Sequence, residues 1–114
     1  MQTGLDTGPM LHQLSTKINQ FDTFQTLHDR LAILTAESLI HTIQLIEKNN
    51  VNPIIQHESG VRYANKISKS EAELDLTQPA HLISNKIRAF SPTPGCWLRL
   101  RQGNRVKILK ANIK

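Results

Sequence analysis

The sequence predicts an α+β chain in two parts: a strand and long helix of the open-sheet αβ type, then a short helix and a β-hairpin. Three observations predict it. Apolar residues recur at spacings of three and four through the middle of the first half. A two-residue alternation interrupted by a Gly-containing turn lies near the C-terminal end. Charge also divides along the chain. Up to Gly60 the basic residues are Lys17, Arg30 and Lys48, against six acids, whereas from Val61 onward eleven basic residues face Glu71, Glu73 and Asp75 alone. No carboxylate side chain follows Asp75. Such a basic second half suits a polyanionic partner; a solvated basic surface is the plainer alternative.

Composition sets the outer limits. With 39% hydrophobic and 20% charged residues among 114, the chain is not of disordered type and can hold one domain or pieces of two. No apolar run approaches the roughly 18 residues of a spanning helix. Residues 1–10 lack a basic region followed by an apolar block, so no secretory signal is visible. Cys96, the single cysteine, cannot build a disulfide framework or a Cys-rich zinc site, which favours a reducing, cytoplasmic setting.

Gly4-Leu5-Asp6-Thr7-Gly8-Pro9 is dense in turn formers and predicts a loop. Met10 to Ile18 alternates with period two and predicts a strand. Asp22 and Gln25 have capping-box spacing and open a long helix to about Lys48, striped by Leu27, Leu31, Leu34, Ala36, Leu39, Ile40, Ile43 and Ile46. Asn49-Asn50 can supply a left-handed cap. Val51 to Arg62 shows little periodicity and reads as an extended linker. Ser68 and Glu71 form a second capping-box pair and open a short helix at most. Thr77 is placed to cap a further helix with Pro79 in its first turn and Ile83, Ile87 and Phe90 as its buried face. Pro92-Thr93-Pro94-Gly95 ends it. Cys96, Leu98 and Leu100 then alternate with Trp97, Arg99 and Arg101, and Gln102-Gly103-Asn104 turns the chain back through Val106 and Ile108.

Asp6 is the candidate catalytic carboxylate, lying between glycines that allow close approach to a ligand; closing the turn through its own side chain is the commoner role. Histidines 28 and 41 are too far apart on one helix to share a metal, so no metal is expected. Cys96 reads as core rather than nucleophile. Trp97 either stacks on a base or packs inward. Lys66 and Lys69 either meet phosphate or are simply solvated.

Several segments together resemble one family. Gly4 through Leu11 and Thr26-Leu27-His28-Asp29-Arg30-Leu31-Ala32 look like the end of the catalytic domain of methionyl-tRNA formyltransferases. Tyr63-Ala64-Asn65-Lys66-Ile67-Ser68-Lys69-Ser70-Glu71-Ala72 resembles that family's interdomain segment. Ile87-Arg88-Ala89-Phe90-Ser91-Pro92-Thr93-Pro94-Gly95-Cys96-Trp97 resembles the entry to its C-terminal domain. The resemblance implies a fold class: an α/β remnant of a Rossmann-like formyltransferase domain over 1–50, a linker over 51–67, and the beginning of an OB-like β-barrel over 68–114.

It also implies an activity, the transfer of a formyl group from 10-formyltetrahydrofolate to the α-amino group of methionyl initiator tRNA. Asp6 matches the family's catalytic aspartate, which acts with an Asn and a His to deprotonate the amine and stabilise the tetrahedral oxyanion. Gly4 and Leu5 match the backbone that lines the folate pterin. For tRNA the expected phosphate contacts are Lys66, Lys69, Arg88, Arg99, Arg101 and Arg105, with Arg88 equally suited to bracing the helix–hairpin junction. The expected partner is initiator methionyl-tRNA, with no DNA or membrane, and the full-length enzyme is expected to be monomeric. The family's Asn-x-His tripeptide occurs nowhere in this sequence, so the chain is expected to be a fragment, inactive alone. The alternatives are a sibling formyltransferase acting on a sugar nucleotide or hydrolysing formylfolate, and a non-catalytic RNA-binding module.

Overall fold

The structure, a computed structural model, describes residues 3–113. Its regular elements are α1 (Phe24–Glu47), α2 (Ala80–Phe90), β1 (Cys96–Arg99) and β2 (Arg105–Ile108). Two compact units divide the chain. One holds the stretch through Lys17 together with Arg30–Ala64; the other holds Ile18–Asp29 and the chain from Asn65 onward.

In the first unit the predicted strand over Met10–Ile18 is absent: only Met10 pairs, in an antiparallel bridge with Ile54. The two residues exchange N–H···O bonds of 2.8 Å each. Alternation alone does not make a strand; each residue also needs a partner backbone, and beyond Met10 this segment has none among the described residues. Helix α1 follows the predicted period, but a different stripe packs. Leu27, Arg30, Leu34, Ser38, Thr42 and Leu45 are half-buried, while Leu39, Ile40, Ile43 and Ile46 are exposed. The polar members of the packed face find acceptors: Arg30 donates to the Lys17 carbonyl at 3.1 Å, and Thr42 to that of Ser38 at 2.7 Å.

Both ends of α1 are capped. The N-terminal box is Thr23 with Thr26, one residue later than predicted: each backbone N–H meets the other's hydroxyl, at 2.9 and 3.3 Å. Asp22 instead accepts from the Thr26 hydroxyl, and Gln25 donates to Asp29. At the C-terminal end Asn49 has φ 51°, with Asn49 N–H on the Ile46 carbonyl and Asn50 N–H on that of Leu45. That pair of bonds is the Schellman arrangement.

In the second unit β1 and β2 pair antiparallel, Cys96 opposite Ile108 and Arg99 opposite Arg105. The connecting loop is Arg101-Gln102-Gly103, one residue earlier than predicted, closed by a 2.9 Å bond from Gly103 N–H to the Leu100 carbonyl. With Gly103 left-handed this is the three-residue hairpin loop. A third extended piece lies along β1. Trp97 N–H donates to the Ala72 carbonyl at 3.0 Å, and Leu74 N–H to that of Trp97 at 2.9 Å. The Ser68–Glu71 pair forms its reciprocal bonds as predicted but opens only a turn, because the chain becomes extended at once.

Helix α2 begins at Ala80, with Pro79 as its flanking cap and no side-chain cap bond. Thr77 is not the cap; its hydroxyl and N–H both donate to Asp75 Oδ1, at 2.6 and 2.9 Å. Gly95 sits at φ 78°, and a Cβ there would lie 2.8 Å from the Lys107 side chain. The core is Leu74, Ile87 and Cys96, with Ile83, Phe90, Leu98 and Ile108 packed against it. The predicted face of α2 is therefore the buried one. Cys96 is fully buried, burial pushes its thiol pKa up, and its Sγ meets the Lys86 carbonyl at 3.5 Å.

Two predictions test this packing. Ile87→Ala should destabilise the second unit by about 2–5 kcal/mol, read from urea unfolding followed by circular dichroism. Glu71 is held below its usual pKa chiefly by the Ser68 backbone N–H, and Asp75 chiefly by the Thr77 hydroxyl. A depressed carboxylate stabilises the fold above its unfolded pKa of about 4 and loses that contribution as the pH falls through the lowered value. Asp75→Asn should therefore flatten the acid limb of stability below about pH 4 in a urea-midpoint titration.

Candidate functional site

Two clusters carry chemistry, one in each unit. Gly4, Leu5 and Asp6 fall together in a turn of the first unit. Gly4 allows the turn to close, since a Cβ there would come within 2.6 Å of Thr7 Oγ1. Asp6 is left-handed at φ 55°, a conformation aspartate tolerates, and its side chain is exposed. Leu5 is 89% exposed. Gln56 fixes the turn: its Nε2 donates to the carbonyls of Asp6 at 2.9 Å and Gly8 at 2.6 Å. Sequence reasoning missed Gln56, which sits in an aperiodic stretch with no local signal.

The second cluster is the outward face of the hairpin. Strand alternation turns Cys96 and Leu98 toward the core, leaving Trp97 and Arg99 outward, with Arg105 and Lys107 across from them. Arg105 lies 4.1 Å and Arg99 5.6 Å from the Trp97 ring centroid, both within cation–π range. The indole N–H donates to the Lys69 carbonyl at 3.0 Å. Trp97 thus neither enters the core nor stands free; it holds cations. The expected phosphate ligands Arg99 and Arg105 meet here, with Lys69 joined through its backbone. Arg101 lies exposed in the hairpin loop and Lys66 exposed in an extended stretch.

Arg88 is placed as a brace. Its guanidinium donates to the Asp22 carbonyl at 2.7 Å and to Asn85 Oδ1 at 2.8 Å, with a longer bond of 3.5 Å to the Asn19 carbonyl. Phosphate contact by Arg88 would compete with these bonds. His28 and His41 are both exposed on α1. His28 is exposed beside Asp29 at 3.3 Å, whereas His41 meets His12 edge-on at 5.3 Å. Among the described residues no group of three or more His, Cys, Asp or Glu could hold a metal ion, and no helix is long and apolar enough to cross a membrane.

Residues 66–114 match the family described as formyl transferase, C-terminal domain. Two curated relatives carry the name methionyl-tRNA formyltransferase. Those from Stutzerimonas stutzeri (strain A1501) and Jannaschia sp. (strain CCS1) are 42% and 41% identical over 113 residues, 99% of this chain. The chain spans 36% of the length of each. In fold it is similar to a Mycobacterium tuberculosis protein described as a "likely sugar N-formyltransferase", with TM-score 0.74 over 100% of this chain and 50% of that one, at 17% identity.

Proposed function

We propose that this chain is part of a methionyl-tRNA formyltransferase, transferring formyl from 10-formyltetrahydrofolate to the α-amino group of methionyl initiator tRNA. The observation that carries the reading is identity above 40% to relatives of that name over 99% of the chain. In this reading residues 1–50 end a Rossmann-like catalytic domain, 51–67 link, and 68–114 begin an OB-like barrel. The last assignment is supported by the family match over 66–114 and by the three extended pieces packed under α2.

Asp6 acts in the chemistry as the partner of an imidazole. A carboxylate beside a histidine orients the ring and raises its basicity, so that it takes the proton of the attacking amine, while an amide donor steadies the oxyanion. Gln56 keeps the Asp6 carbonyl, and with it the turn, in one place. Exposed Leu5 offers apolar surface to the flat pterin, beside the Gly4 backbone. The Asn-x-His pair is not in this sequence, so the chain by itself lacks both the base and the donor. On the hairpin, Arg99, Arg101 and Arg105, with Lys66 and Lys69, contact tRNA phosphates. This basic face is what favours a tRNA substrate over a small one.

Two experiments test the reading. The chain alone, given charged initiator tRNA and formyl donor, should form no formyl-methionine above background. Preceded by the upstream portion of the Stutzerimonas relative it should be active, and Asp6→Asn in that chimera should lower the rate by roughly 100-fold or more. Continued inactivity of the chimera, or a fully active Asp6→Asn, contradicts the assignment. In a gel shift with tRNA, Arg99→Ala with Arg101→Ala should weaken binding and lower the log–log salt slope by about 1–2. An unchanged slope removes these residues from the interface.

A further inference from the structure

The outward face of the hairpin poses an electrostatic problem that its own residues do not solve. Register sets Arg99 directly opposite Arg105, and like charges at facing positions oppose sheet pairing. Among the described residues neither guanidinium meets a carboxylate, and the sequence holds no Asp or Glu after Asp75. What both guanidiniums do meet is Trp97, at 4.1 Å for Arg105 and 5.6 Å for Arg99. The indole is itself immobilised. Its ring N–H is bound to the Lys69 carbonyl, and its backbone N–H and carbonyl are bound to Ala72 and Leu74. A fixed aromatic plane therefore gathers two planar cations on one side of a two-stranded sheet.

We propose that Trp97 is a positioning residue for RNA binding: its indole holds the Arg99 and Arg105 guanidiniums as one preorganised clamp for a backbone phosphate. The proposal rests on the tRNA-binding reading and adds to it the residue that makes two repelling cations act together. Planar guanidiniums suit this arrangement because they stack on the ring by their faces while their N–H edges stay available to phosphate oxygens. Held in place, they lose less freedom when phosphate arrives. A base stacked on Trp97 would have to compete with Arg105, which already lies over the ring.

The test uses the full chain and labelled tRNA across a salt series. Trp97→Leu should weaken binding by roughly three- to tenfold, with the salt slope retained because the phosphate contacts still form. Trp97→Phe should recover a large part of the loss. Arg105→Lys, which keeps the charge but not the flat stacking group, should lose a similar factor. Thermal melts of each variant separate this effect from unfolding. Because Trp97 is the only tryptophan, inorganic polyphosphate added to the unaltered chain should change its emission as the guanidiniums turn to the anion.

Silent emission, or Trp97→Leu binding as tightly as the unaltered chain, overturns the proposal. So does Trp97→Phe binding as weakly as Trp97→Leu at equal thermal stability. Quenching by short unstructured RNA but not by polyphosphate replaces the clamp with base stacking. If the unaltered chain binds tRNA with a steep salt slope while the Trp97 variants are unaffected, only this inference falls. If it binds no tRNA, the tRNA reading falls with it.

Discussion

Two backbone hydrogen bonds at one residue organise the second unit: Trp97 N–H to Ala72, and Leu74 N–H to Trp97. A hairpin of four-residue strands is marginal in water, and these bonds give β1 a second neighbour. They also bring Leu74 beside Cys96, beneath Ile87 of α2. Because side chains alternate along a strand, the register that turns Cys96 and Leu98 inward also turns Trp97 and Arg99 outward. Core and basic face are consequences of a single alignment. A slip of one residue would send Arg99 toward the core and Cys96 to solvent, so the apolar contacts that stabilise the unit also fix its charge pattern.

The first unit obeys a different constraint. Within it, helix α1 packs Leu34 and Leu45 on one side, yet Leu39, Ile40, Ile43 and Ile46 lie exposed on the remainder of its surface. A helix with apolar residues around most of its circumference suits the interior of a larger body more than the surface of a small one. The chain spans 36% of the length of each curated relative it matches. No α1 residue is fully buried, although the helix is long, periodic and capped at both ends.

What the sequence made legible follows from where its signals are local. The spacing of Ile83, Ile87 and Phe90 located the buried face of α2, and the alternation from Cys96 located the hairpin, since each pattern reports one element's own periodicity. The αL cap at Asn49 was legible for the same reason. The misreadings concern partners. Met10–Ile18 alternates but has only Ile54 to pair with. Residues 72–74 carry no strand signal because their pairing is set by β1, more than twenty positions away. Gln56 could not be seen, for its contacts with Asp6 and Gly8 span about fifty residues of sequence. For Trp97 the sequence left inward packing and outward stacking both open, because its place over two arginines depended on the cross-strand register.

The two clusters also differ in how complete they are as chemistry. A phosphate needs donors and positive charge, and the hairpin face supplies both from its own side chains, with a rigid indole to hold them. Formyl transfer needs more. An ionised carboxylate has acceptors and no donor, so Asp6 can orient an imidazole but cannot itself hydrogen-bond a developing oxyanion. The fold fixes the Asp6 turn by its backbone, through Gln56, and leaves the carboxylate exposed. In the proposed reading the hairpin face brings its own donors to the tRNA backbone, whereas Asp6 works only through a group it orients.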